Sequence, residues 1–336
     1  MTKWFCIVGI TLISCGQSGQ ETNSPSDPST ISDTDNQEQI KELDVDSIHE
    51  LEKLGRDSDI KDMLSEYSDH DLSDSMLFLK SKLNYEGIQP NYTDEDDSLE
   101  TNAYFNIENL CLSGYLDACA YSIYCDTWNW ENPMSKEERH EKWLALADSG
   151  NALAMYYLGT NAPTQPKESY VRYTDPKWLK KSCELGNIEA CDHLAFYYKY
   201  DNPNEKERIK YLNKCVEYGR LSRKIELSLI SLQHLTKYPN KENYNQFREK
   251  FLESKQYWHN EANVYFPVGE ILFNSKDNSL KTFGARVVIL TKHRASSAKS
   301  FIQENGIKEE NYVPLNSFES VEPELFHILK EYCGLE

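Results

Sequence analysis

The chain has 336 residues, of which 12% are aromatic and 27% charged, and a formal net charge of −19. An acidity of that size disfavours binding to nucleic acid, whose phosphates would be repelled. The length allows more than one packed unit.

In chain order, Met1-Thr2-Lys3 supplies one positive charge, Trp4 to Ile13 is apolar, and Leu12-Ile13-Ser14-Cys15 closes the run. This layout is a secretory signal segment, too short to span a bilayer. The tetrad resembles the lipobox of bacterial lipoproteins. The resemblance implies that residues 1–14 are removed, that Cys15 carries lipid, and that the mature chain is anchored to a membrane; Gly16 resembles the outer-membrane sorting case. Residues 15–60 read as an acidic, solvated tether, since no aromatic occurs between Gly16 and Tyr67 and acidic side chains dominate from Glu38 to Asp74.

From Tyr67 the chain carries nearly all its Tyr and Phe. Residues 61–100 are expected to hold a degenerate helical unit. Residues 101–238 then show a repeat. "CLSGYLDAC" at Cys111 to Cys119 and "CELGNIEAC" at Cys183 to Cys191 share a frame, and "ALADSGNALAM" puts Ala147 and Met155 where the cysteines would be. Gly114, Gly150 and Gly186 are spaced by 36 and 36 residues, with Gly219 a further 33 along. A fixed period of this size predicts an α/α solenoid of helix pairs, each Gly ending one helix in the left-handed conformation of a C-cap. Apolar residues at helical spacing on both sides of Gly186, namely Leu179, Cys183, Cys191, Leu194 and Tyr198, support two amphipathic arms. Ser135 with Glu138 fits a capping box, and Asp175-Pro176 places a cap before a first-turn proline. The linking loops are expected to hold Pro133, Pro163, Pro166 and Pro203.

These units resemble Sel-like repeats, relatives of the tetratricopeptide repeat, and the Cys-containing ones are similar to the Helicobacter cysteine-rich protein family. The resemblance implies that the cysteines clip the two helices of one repeat, Cys111 to Cys119 and Cys183 to Cys191, and that the repeat surface binds a protein partner. An antiparallel helix turn brings residues eight apart within bridging distance, and an exported chain is expected to form disulfides. Cys215 has Arg223 at the partner position, so Cys125, Cys215 and Cys333 are left over.

Residues 239–336 read as a small α+β domain: a helix about Asn243 to Trp258, a strand over Val264 to Phe273, a helix ended by Asn305-Gly306, and a strand in the tail of Leu290 to Ser320. Leu290, Thr291, Arg294, Ala295, Gly306, Ile307 and Glu319-Ser320 resemble the second half of the peptidoglycan-associating domain of outer-membrane protein A. That resemblance implies that Arg294 grips the carboxylate of a cell-wall peptide beside an aspartate. Ser279 stands at the family's aspartate position, with Asp277 two residues away as the nearest carboxylate, and Val287 replaces the family's asparagine.

Reaction motifs are mostly missing. His49-Glu50 and His140-Glu141 lack a second histidine, and Asp94 to Glu100 lacks the glycine and terminal glutamate of a calcium loop. Cys191-Asp192-His193 offers zinc-binding groups, but disulfide formation competes for the cysteine. Ser296-Ser297-Ala298-Lys299 has the spacing of a penicillin-recognising Ser-x-x-Lys motif without its partner motifs. The reading is therefore a non-enzymatic envelope lipoprotein without a cofactor or metal, acting as a repeat scaffold. A peptidoglycan anchor and a β-lactam or cell-wall-peptide hydrolase are the alternatives.

Overall fold

A computed structural model describes residues 43–54, 56–86, 94–126, 133–161, 174–258 and 260–335. The signal segment, Cys15, most of the tether, Pro163 and Pro166 lie outside the described residues. Sixteen α-helices and no strand occur among the described residues.

The first three helices, α1 (Val45–Leu54), α2 (Asp57–Ser65) and α3 (Asp74–Glu86), gather around Ile48, Ile60, Leu64 and Met76. The tether expectation is corrected for its described part: Ile48 and Ile60 are buried, because apolar residues on the inner faces of α1 and α2 pack there despite the acidic composition. Four hairpins follow: α4 (Asp94–Leu112) with α5 (Leu116–Cys125), α6 (Lys136–Asp148) with α7 (Ala152–Thr160), α8 (Pro176–Glu184) with α9 (Ile188–Tyr200), and α10 (Glu205–Glu217) with α11 (Arg223–Lys237). Each turns on one of the four glycines, at φ +98°, +94°, +92° and +108° for Gly114, Gly150, Gly186 and Gly219.

The turn chemistry repeats. At Gly150 the glycine N–H donates to Ala147 O at 3.0 Å and the Asn151 N–H donates to Leu146 O at 3.1 Å, the paired bonds that close a helix when its C′ residue is left-handed. Cys183 and Ser182 accept the same pair from Gly186 and Asn187, and Cys215 accepts from Arg220 behind Gly219. The next helix starts at once, because Asn151 and Asn187 accept from the N–H groups of Ala154 and Ala190 at 2.7 and 2.8 Å. The expected caps at Ser135 and Asp175 are formed, on Glu138 N and Lys177 N.

Neighbouring hairpins share cores. In the first two, Tyr157 stacks on Tyr124 at 4.9 Å and on Trp143 at 5.3 Å, and the Trp143 indole N–H donates to Ala120 O at 3.0 Å. Ser182 Oγ donates to Ala152 O, linking the third hairpin to the second. Leu179, Leu194, Tyr198, Tyr211 and Leu212 form the core of the last two, with Tyr198 and Tyr211 stacked at 5.8 Å.

The helices continue to the C-terminal end: α12 (Lys241–Ser254), α13 (Glu261–Phe273), α14 (Asn278–Thr291), α15 (Ser296–Glu304) and α16 (Val321–Tyr332). The α+β expectation is thus corrected. Val264 to Phe273 forms α13, not a strand, because its apolar residues are buried at helical spacing: Val264, Tyr265, Val268 and Leu272 face the core, and Phe266 and Ile271 pack against it. The tail beyond Gly306 is also no strand; it runs as coil with single 3-10 turns at Glu309–Asn311 and Phe318–Ser320, and Ile307, Leu315 and Phe318 plug the helical core. The expected helix near Asn243 and the stop at Gly306, with φ +62°, are present as α12 and the end of α15. Residues 43–336 form one compact unit, and no described helix is long and apolar enough to cross a membrane.

Candidate functional sites on the repeat surface

Two grooves open on this surface. One, of about 1030 Å³, lies between α1 to α3 and the second helices of the hairpins, with Tyr124, Tyr156, Tyr157, His193 and Tyr218 on the repeat side. The other, of about 1310 Å³, runs along α11 between the end of α9 and α13. Both reach Ser222 and Arg223 at the start of α11.

Beside that junction sits an ion cluster. Asp192 on α9 accepts from Arg223 and lies 3.3 Å from Arg220; Arg220 also reaches Glu189 at 3.4 Å. Glu226 accepts from Arg208 and lies 3.6 Å from Arg223 and 3.8 Å from Lys199. The cluster occupies the place in the fourth hairpin that the sequence spacing assigned to a second cysteine. Burial works against the Arg223 charge, but the Asp192 hydrogen bond and the charges of Asp192 and Glu226 outweigh it and raise its pKa. Asp192→Asn leaves two guanidinium groups short of a carboxylate while keeping the shape. These side chains are 21 to 35% exposed, so the loss falls short of a fully buried pair. Stability is expected to drop by about 1 to 3 kcal/mol, read by denaturant unfolding. An unchanged midpoint would show that the cluster contributes nothing.

Cys215 lies beneath it, fully buried, its sulfur 4.0 Å from Asp192 Oδ1. Burial, reinforced by the Asp192 charge, pushes its thiol up to about 12. Two outcomes are expected. A maleimide at pH 8 should modify Cys333, which is half-buried, well before Cys215. Because the folded pKa is raised above the ordinary thiol value of 9.0, this group's stability contribution is complete below pH 9 and is lost as pH rises towards 12. Labelling of Cys215 at the rate of an unfolded thiol would contradict the placement.

The remaining sequence-derived residues fall as follows. Cys111 pairs with Cys119 at an S–S distance of 2.04 Å, and Cys183 with Cys191 at 2.16 Å. With Cys191 so engaged and Asp192 held by two arginines, Cys191-Asp192-His193 is not gathered for zinc; among the described residues no group of three or more His, Cys, Asp or Glu side chains could hold a metal ion. Asp277 and Arg294 are not brought together. Asp277 caps α14, accepting from Leu280 N at 2.9 Å, whereas Arg294 follows its other end and lies over the Phe318 ring at 5.4 Å. Fourteen helical residues intervene, roughly 21 Å of rise. Ser296 and Lys299 are exposed on the first turn of α15 and line neither groove.

No family model and no curated protein matches the chain. A solved structure of a protective antigen present in uropathogenic Escherichia coli strains, described as displaying an SLR fold, is similar at a TM-score of 0.43 and 15% identity. The match covers 81% of this chain and 60% of that one, so this chain spans about three fifths of that protein's length. A likeness of that degree says nothing about what this chain binds.

Proposed function

We propose that this chain is a non-enzymatic scaffold of Sel-like helical repeats that binds a protein partner on its repeat surface, held at the cell envelope by lipid on Cys15. The observation that supports it most is the regular stacking of four hairpins on identical glycine caps. That stacking aligns α5, α7 and α9 so that Tyr124 and Tyr156, with His193 beside them, line one groove. Tyrosines of this kind offer large contact area with a polar tip, which suits recognition of another protein. Two disulfide-distance cysteine pairs fit an oxidising compartment, and the lipobox-like tetrad fits export.

The test places a photo-crosslinking residue at Tyr156 or Tyr218 in the full-length protein in cells, with Lys299 on α15 as the control position. The reading expects one discrete adduct from the groove positions and none from the control. Incorporation of labelled palmitate should be lost in Cys15→Ala. Hydrolysis of a chromogenic β-lactam, abolished by Ser296→Ala, would replace the scaffold with the hydrolase alternative.

A further inference from the structure

The groove along α11 differs in charge from the rest of the molecule. Its lining carries five cations, Lys199, Arg208, Arg223, Lys237 and Lys276, against two carboxylates, Glu226 and Glu270. The balance is +5 − 2 = +3, or +2 if Asp192 behind Arg223 is counted, on a chain whose net charge is −19. A local positive field on so acidic a protein selects anionic ligands.

The cations are grouped by position. Lys199, Arg208 and Arg223 surround Glu226 at the start of α11, whereas Lys237 ends the same helix and Lys276 lies in the α13–α14 turn. Lys237 and Lys276 are exposed and form no ion pair with a described residue. Between the two groups the lining is mixed, with Leu229, Ile230 and Ile271 interspersed with Gln233, Thr236 and Glu270. Tyr200 and Tyr238 stand at the rim, 55% and 59% exposed. The fifteen residues of α11 cover roughly 22 Å, the span of about six or seven residues of extended peptide.

We propose that this groove binds an acidic peptide segment of a partner protein, with carboxylates at both ends and aliphatic residues between them. This rests on the scaffold reading and specifies the chemistry of its partner. The unpaired lysines at one end and the surplus positive charge of the arginine cluster at the other match carboxylates, and Leu229, Ile230 and Ile271 between them match the aliphatic centre. Nucleic acid fits less well, because the acidic remainder of the chain repels a continuous phosphate backbone.

The test uses full-length oxidised protein and fluorescence anisotropy with a labelled peptide Asp-Glu-Leu-Ile-Asp-Glu. Its amide counterpart Asn-Gln-Leu-Ile-Asn-Gln and a labelled hexathymidylate are the comparisons. The acidic peptide is expected to bind, more weakly as salt rises, and the other two to bind far less. The double variant Lys237→Glu, Lys276→Glu should weaken binding by about tenfold with an unchanged melting temperature, whereas Lys299→Glu on α15 should have no effect. Equal binding of the amide peptide or of the hexathymidylate, or an affinity unaffected by the double variant, would overturn the proposal. Failure of the acidic peptide to bind while Tyr156 still gives a discrete crosslink in cells would remove this groove and leave the scaffold reading standing.

Discussion

Gly284→Ala is expected to destabilise the C-terminal half strongly, with a loss of about 3 kcal/mol. A Cβ at this position would lie 2.3 Å from Phe273 N and 2.7 Å from Gly269 O. Both obstacles are backbone of α13, so no side-chain rotation relieves them. Gly269 makes the reciprocal contact, its Cβ position 3.0 Å from Gly284 O. The two glycines therefore set how closely α13 and α14 approach, and around that contact Val268, Leu272, Phe283 and Val287 are buried. Forcing the helices apart opens gaps on every side of it. Ser279→Ala, exposed on the same α14, should change stability by less than about 0.5 kcal/mol. Denaturant unfolding of the two variants measures the contrast, and a Gly284→Ala protein as stable as the parent would mean that the two helices are not in close contact.

Reduction of the hairpin disulfides should have the second large effect. A bond closing an eight-residue loop limits the unfolded chain by roughly 2.5 kcal/mol, so two contribute about 5 kcal/mol. They are not equally accessible. Cys183 and Cys191 are both fully buried, whereas Cys111 and Cys119 are only half-buried. A water-soluble phosphine is thus expected to reduce Cys111–Cys119 in the native protein and to reach Cys183–Cys191 only when the third hairpin opens. The α6–α7 hairpin, with Ala147 and Met155 at those places, has no bond to lose. It shares Trp143 and Tyr157 with its neighbours' core, so melting should fall across the array and not in two hairpins alone. Thermal unfolding with and without reductant shows this as a lower single transition, and a transition unmoved by full reduction would contradict it.

Legibility in the sequence depended on how far apart the interacting residues lie. The glycine turn, the caps at Ser135 and Asp175 and the cysteine frame are local, each settled within about nine residues, and the 36-residue glycine spacing repeats that unit along the chain, so the hairpins follow from the sequence alone. The ion cluster joins Asp192 to Arg220 and Arg223 across 28 and 31 residues, a distance at which charge pattern alone does not choose partners. One signal was present, since Arg223 takes the place of the missing cysteine opposite Cys215. Val264 to Phe273 misleads because a short apolar run suits a strand or a buried helix equally. Pro267 within it already spoke against a central strand, and burial on most sides of α13 decided for the helix. Asp277, the carboxylate nearest the family's position, stands apart from Arg294 for a related reason. Once α14 is a helix, its length separates a cap residue from one beyond its end.

The most direct measurement of the repeat assignment is non-reducing peptide mapping of the mature protein purified from cells. The expected result is Cys111 joined to Cys119 and Cys183 joined to Cys191, each bond within one hairpin, with Cys215 recovered as a buried thiol beneath Asp192. Finding those four cysteines joined between hairpins would contradict the repeat assignment, and finding them reduced would contradict the oxidising compartment.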